Sequence, residues 1–148
     1  MIDAAAVERY LHQQIPLSLH MGVQVSACDQ AGVRLTAPLA PNINHMGTVF
    51  GGSASAVAMI CGWSLVYARI AALAFDTGLV IRRNHMEFDS PIDGDFTAWC
   101  AAPDGDTLTR FDTVLADQGK SRLELSVEVL IGERRAATFV GVYVARRT

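Results

Sequence analysis

Positive charge is in short supply. Twelve Lys and Arg stand against fifteen Asp and Glu, a formal net charge of −3. A nucleic-acid surface needs clustered Lys and Arg to neutralise phosphates, so nucleic acid is not expected as a partner. Cysteine is also scarce: Cys28, Cys61 and Cys100 are odd in number, far apart, and have no second Cys or His at ligand spacing. That argues against a disulfide framework and a zinc site and makes a reducing cytoplasm the simplest compartment. The N-terminal stretch lacks a basic start, and Asp3, Glu8 and Arg9 interrupt its apolar residues, so it is not read as a signal peptide.

The most telling absence is internal. From Val49 to Ala68 there is no charged side chain, and Arg69 is the only one before Asp76. A helix apolar all round must be covered on every side, by lipid or by protein. This run is rich in Ala, Gly and Ser rather than Leu and Ile. It has no basic anchors, and the rest of the chain is patterned as strands. A core helix is therefore expected, and no membrane partner.

At 148 residues the chain is read as a single domain, 1–148, large enough to bury its own core. Asp3 is placed as the N-cap of a short amphipathic helix bearing Val7, Tyr10 and Leu11, which Pro16 ends. GVQVSACD and AGVRLTAP form a hairpin around Asp29-Gln30 and Gly32. Pro38 and Pro41 start a polar loop, and Ser53 or Gly52 is expected near the cap of the long helix. GLVIRRNHMEFDSP reads as a long strand with DFTAWCAA as its hairpin partner. In DGDTLTRFDTVLADQGK, the stripe Leu108, Phe111, Val114 and Leu115 predicts a short helix capped by Thr107 or Asp106 and stopped by Gly119. SRLELSVEVLI alternates cleanly as a half-exposed strand. AATFVGVYVA is apolar on both faces and belongs inside a sheet. The expected fold is α+β: a curved antiparallel sheet of about six strands around one long central helix. The helix faces that the sheet leaves open call for a second copy of the chain, a homodimer, with the pairing of dimers left open.

The loop and helix start, NINHMGTVFGGSAS, are where the chain resembles a known family. Hotdog-fold thioesterases lead into their central helix with a pattern of the form Asn-x-x-Gly-Thr-x-His-Gly-Gly. Asn44, Gly47, Thr48, Gly51 and Gly52 fall on it, with Phe50 in place of the histidine. A closer resemblance is to the thioesterase domain that also forms the C-terminal half of some bacterial acetyltransferase fusions, the YiiD C-terminal type. On its pattern fall Asn42, Asn44, His45, Thr48, Phe50, Gly51, Gly52, Ser53, Gly62 and Trp63. The resemblance covers about residues 15–146. It implies a hotdog fold and hydrolysis of an acyl-CoA or acyl-carrier thioester by direct water attack, with no cofactor or metal.

The residues suit that chemistry. A first helical turn offers free N–H groups and the positive dipole end to a developing oxyanion, and Gly51 and Gly52 permit close backbone approach. His45 can serve as a general base near neutral pH, and the Asn44 amide can position water or the thioester carbonyl. Asn42, Thr48 and Ser53 are the loop residues assigned to substrate binding. Phe50, Met59 and Trp63 are candidates to line an acyl slot. Relatives often carry an Asp or Glu nine residues beyond the His of His-Gly-Gly; counting from Phe50, that position is Met59, and no carboxylate lies between Gly51 and Phe75. The strand bearing Asn84, His85, Glu87 and Asp89 is the other source of polar groups, with His85, Glu87 and Asp89 on one face, and Asn84 and His85 are counted with the substrate contacts. Ser53 lacks the surroundings of a nucleophile elbow, and Cys61, mid-helix among apolar neighbours, reads as an inert thiol. The missing carboxylate keeps a second reading open, a non-catalytic acyl-ligand binding domain.

Overall fold

A computed structural model describes residues 2–148. Helix α1 (Ala4–Gln14) starts where the Asp3 carboxylate accepts the Ala6 N–H at 2.8 Å. Pro16 opens a separate short helix, α2 (Pro16–His20), which the sequence reading did not foresee. Proline suits the first helical position, because its missing N–H would have had no partner there. Strands β1 (Gln24–Asp29) and β2 (Gly32–Ala37) form the expected hairpin. The long helix α3 (Gly51–Ile70) follows the polar loop. After it come β3 (Thr77–Phe88), β4 (Phe96–Ala101), α4 (Gly105–Gln118), β5 (Lys120–Ile131) and β6 (Arg134–Arg147).

All six strands join one antiparallel sheet in the order β1-β2-β4-β5-β6-β3. The expected hairpin between β3 and β4 does not form: β4 pairs with β2 and β5, while β3 pairs only with β6. After Phe88 the chain leaves the sheet, and Ile92 accepts the Val49 N–H at 2.8 Å, so the Pro91 segment crosses over the loop that leads into α3. β6, apolar on both faces, is flanked by β5 and β3 as its composition demands. β3 and β1 are the two edges.

Helix α3 lies against the inner face of the sheet. Its sheet side is small and fully buried, with Ala54, Val57, Ala58, Cys61 and Val66 meeting Leu35, Ala98, Val127, Phe139 and Tyr143 in one core. Each large apolar side chain buried this way contributes on the order of 1.5–3 kcal/mol. By length and composition α3 could cross a bilayer, but it packs as the core helix. Its other side, the stripe Ala56, Met59, Trp63 and Tyr67, is only half-buried. Tyr10 of α1 stacks on Tyr67 at 4.1 Å between ring centroids, and Trp63 continues the stack at 5.2 Å from Tyr67. α4 packs against β5 beyond the three residue pairs that join β5 to β4, with Phe111 and Leu115 buried. Its cap is Asp104, not Thr107 or Asp106: Asp104 has extended backbone geometry and accepts the Thr107 N–H at 2.8 Å. Gly119, at φ +75°, ends the helix as expected.

Candidate functional site

The loop into α3 is held from both ends. Ile43 and Val49 bridge, the Asn44 N–H donates to the Thr48 carbonyl at 2.8 Å, and Gly47 at φ +78° lets the chain reverse. The Asn44 side chain fills this turn. Its Oδ1 accepts the N–H groups of Met46 (2.9 Å) and Thr48 (3.1 Å), and its Nδ2 donates to Thr48 Oγ1 at 3.0 Å. A side chain satisfying its own backbone in this way rigidifies a turn. His45 stands exposed at the apex, with no hydrogen-bond partner among the described residues.

Asn42 sits at the base of the loop, only 2% exposed. Its Nδ2 donates to the carbonyls of Met21 (2.9 Å) and Pro38 (2.8 Å), and its own carbonyl accepts the Phe50 N–H at 2.8 Å. These bonds tie the loop to the chain ahead of β1, to the residue after β2 and to the start of α3. The Asn42 Oδ1 is buried, with no partner among the described residues.

Gly52 and Ser53 lie near the cap of α3, as expected, but neither is the cap itself. Phe50 occupies the N-cap position and makes no side-chain hydrogen bond, while Ser53 is the third helical residue. The first intrahelical bond runs from the Ala54 N–H to the Phe50 carbonyl at 3.1 Å. The N–H groups of Gly51, Gly52 and Ser53 make no hydrogen bond among the described residues. The Phe50 ring folds over Gly52, where a Cβ would lie 2.8 Å from its Cζ and overlap Cε2. A Cβ at Gly51 would lie 3.3 Å from the end of the Phe88 ring. The two glycines therefore let aromatic rings close on the first turn.

Beside this turn opens a cleft of about 420 Å³, lined among others by Thr48, Gly51, Phe88, Asp89, Ser90 and Ile92. Asp89 lies 3.4 Å from Arg135, and Arg134 donates to Ser90 Oγ at 2.6 Å. Apolar side chains rim the area unusually openly: Met46 is 73% exposed, Phe50 59%, Ile43 53% and Phe88 51%. Asp89 comes from the strand expected as the other source of polar groups, whereas Phe88 carries no role in the sequence reading. The clue available was the FDSP end of the strand, where pairing stops and the chain turns toward the loop.

The remaining candidates lie elsewhere. Met59 and Trp63 stand about 10 and 16 Å along the helix from Gly52 by helical rise, and Trp63 belongs to the Tyr10–Tyr67 stack. Asn84 shares the inner face of β3 with Met86 and Phe88. His85 faces outward, hydrogen-bonded to Glu87 at 3.0 Å and largely exposed. Cys61, whose thiol lies within hydrogen-bonding reach of the carbonyls of Val33 and Ala98, is buried, and burial drives its pKa well up. Among the described residues no three His, Cys, Asp or Glu converge as metal ligands.

The fold is shared with solved structures. A protein of unknown function from Chlorobaculum tepidum superposes with a TM-score of 0.92 at 27% identity, covering 98% of this chain and 94% of that one. A protein described as a "putative thioesterase" from Shewanella oneidensis gives 0.83 at 26%, covering 97% and 96%. A thioesterase from Haemophilus influenzae, at 13% identity, shares the hotdog fold, with a TM-score of 0.76 over 99% and 92% of the two chains. Residues 4–147 match the family model described as "Putative thioesterase (yiiD_Cterm)", and the chain belongs to that hotdog-fold thioesterase family.

Proposed function

We propose that the protein hydrolyses an acyl thioester, carried on coenzyme A or on a carrier protein, at the N-terminus of α3. The observation that carries this reading is the set of unpartnered N–H groups at Gly51, Gly52 and Ser53 beside an open cleft. A thioester carbonyl set against these donors would have its developing oxyanion stabilised by them and by the helix dipole. Water attacks the carbonyl carbon, the tetrahedral intermediate collapses, and the thiolate leaves and is protonated. In this reading Asn44 and Thr48 hold the loop, and Asn42 anchors it. Asp89 and His45 are the groups available to take the proton from water, Asp89 lining the cleft and His45 standing on the loop. Phe50 and Phe88 flank the acyl group.

A homodimer belongs to the same proposal. β3 offers a twelve-residue strand paired on one side only, and unpaired edges of this length are normally covered. The exposed Ile43, Met46, Phe50 and Phe88 need cover as well. A second copy along this edge would supply both and enclose the cleft. Three free thiols agree with a cytoplasmic setting.

The test is thiol release from a panel of acyl-CoA chain lengths, with Asp89→Asn and His45→Ala compared. Hydrolysis that one of these lowers at least a hundredfold supports the reading; full activity in both variants rejects the assigned chemistry. A second reading, an acyl-ligand binding domain without turnover, is favoured by Met59 in place of a helix carboxylate and by the Asn44 amide being engaged within its own loop. Saturable acyl-CoA binding in calorimetry without thiol release would establish it.

A further inference from the structure

A second hollow, remote from the helix start, lies where α4 packs beside β5. α4 and the adjoining strands enclose a groove of about 860 Å³. Its rims bear Arg110 of α4, Arg82 of β3, and Lys120 and Arg122 of β5. A smaller hollow shares Arg82, Lys120 and Val144 with it and adds Arg146. Five of the twelve basic residues thus surround one surface, with Glu124 the only Asp or Glu among the lining residues of either hollow, in a chain of net charge −3. None of the five makes an ion pair among the described residues. Four other arginines do or are otherwise engaged: Arg69 with Asp112, Arg134 with Asp93, Arg135 with Asp89, and Arg147 with the Ala116 carbonyl.

The cluster has a structural cause. Register shifts between Ile81 and Arg83, so Arg82 is an extra residue in β3 that opposes no residue of β6, and bulges of this kind re-aim side chains. Arg122, Val144 and Val80 form one cross-strand row on the outer face, and Val80 is exposed. The groove therefore has cationic rims and an apolar floor that includes Val144 and Val114.

We propose that this groove docks an acidic, amphipathic helical surface of a partner protein. The cations come from four elements, α4, β3, β5 and β6, and Lys120–Arg146 and Arg122–Val144 lie in different cross-strand rows; the charges are thus spread over the surface, where a site for one small anion would gather them at a point. An extended acidic helix would meet the rims with carboxylates and the floor with apolar side chains. A carrier domain bearing the acyl group is the partner this would suit, a step that rests on the thioesterase reading. The binding itself does not.

The test is fluorescence anisotropy of a labelled amphipathic helix built of Glu, Leu and Ala, titrated with the full chain at low and at physiological salt. The expected result is salt-sensitive binding, weakened about tenfold or more by Arg110→Glu with Arg122→Glu, partly weakened by the Gln pair, and unchanged by Arg9→Glu on α1. A peptide with Gln for Glu should not bind. Failure of the Glu peptide to bind, or binding indifferent to the groove variants, overturns the proposal. So does displacement of the peptide by inorganic phosphate or coenzyme A at equal ionic strength, which would mark a small-anion site. A change in oligomeric state in the variants by light scattering also overturns it, because the face would then belong to a second copy. Hydrolysis of free acyl-CoA is measured alongside and should be unaltered in the groove variants. Its absence from the unaltered chain would reject the thioesterase reading and leave the docking result standing.

Discussion

The Tyr143 hydroxyl donates to the Met59 carbonyl at 2.6 Å, and its ring lies where a side chain at Gly62 would have to go. A Cβ on Gly62 would overlap the hydroxyl and come within 2.8 Å of Cζ. Within a helix, Gly→Ala ordinarily stabilises by up to about 1 kcal/mol. Here the sign should reverse: Gly62→Ala should destabilise by roughly 1–3 kcal/mol through overpacking, read by urea unfolding. Because the hydroxyl is the nearest clashing atom, Gly62→Ala should cost less in a Tyr143→Phe background, and a double-mutant cycle measures that coupling.

Gly52 faces a movable obstacle instead. The Phe50 ring over it is more than half exposed, so Gly52→Ala should displace the ring with little loss of stability. The rearranged first turn should nevertheless lower thioester hydrolysis by about tenfold or more, since donor placement in such a site is worth on the order of 10²–10³. Gly51→Ala, which meets only the end of Phe88 at 3.3 Å, should be milder. Thermal melts beside initial rates separate the two effects.

Asn42 anchors the loop through two buried bonds. Asn42→Ala leaves the carbonyls of Met21 and Pro38 without those donors and should cost about 2–3 kcal/mol. Asn42→Asp should be worse at neutral pH and partly recover on acidification, because a buried carboxylate is tolerated better when protonated. Melting temperatures across pH check both variants.

The thiols give a pH signature. Burial pushes Cys100 from its ordinary 9.0 up to about 12 and drives Cys61 and Tyr143 upward as well. Their folded forms hold the proton more tightly than the unfolded chain. The corresponding stability is complete below pH 9 and is lost as pH rises from there toward 12. Alkaline unfolding in that window is expected, and a disulfide reagent at pH 8 should label the half-exposed Cys28 well before Cys61 or Cys100.

Sequence patterning captured whatever depends on local periodicity: the uncharged core helix, the alternation of β5, and the helix carrying Phe111 and Leu115. Strand pairing is a long-range choice, and it escaped. DFTAWCAA follows β3 closely enough to suggest a hairpin, yet β3 pairs with the distant β6. The cap of α4 was misread because Asp104 is set by where the chain enters the helix, and Thr107 and Asp106 are attractive by residue type alone. At the site, the loop motif led to the right stretch, but the engagement of the Asn44 amide and the presence of Asp89 in the cleft are products of folding. The basic groove was invisible because its residues come from β3, α4, β5 and β6, and only the fold gathers them.

The extra residue at Arg82 has a further consequence for how the strand tolerates change. Leu79 and Ile81 face inward before it, and Met86 and Phe88 face inward after it. Deleting Arg82 would leave a regular ladder with every later side chain on its present face. Inserting one residue between Asn84 and Met86 would instead turn Phe88 away from Gly51. Length variation in this strand is thus asymmetric: one residue fewer is absorbed at the bulge, and one residue more, past the bulge, turns the Phe88 side of the cleft away from the helix.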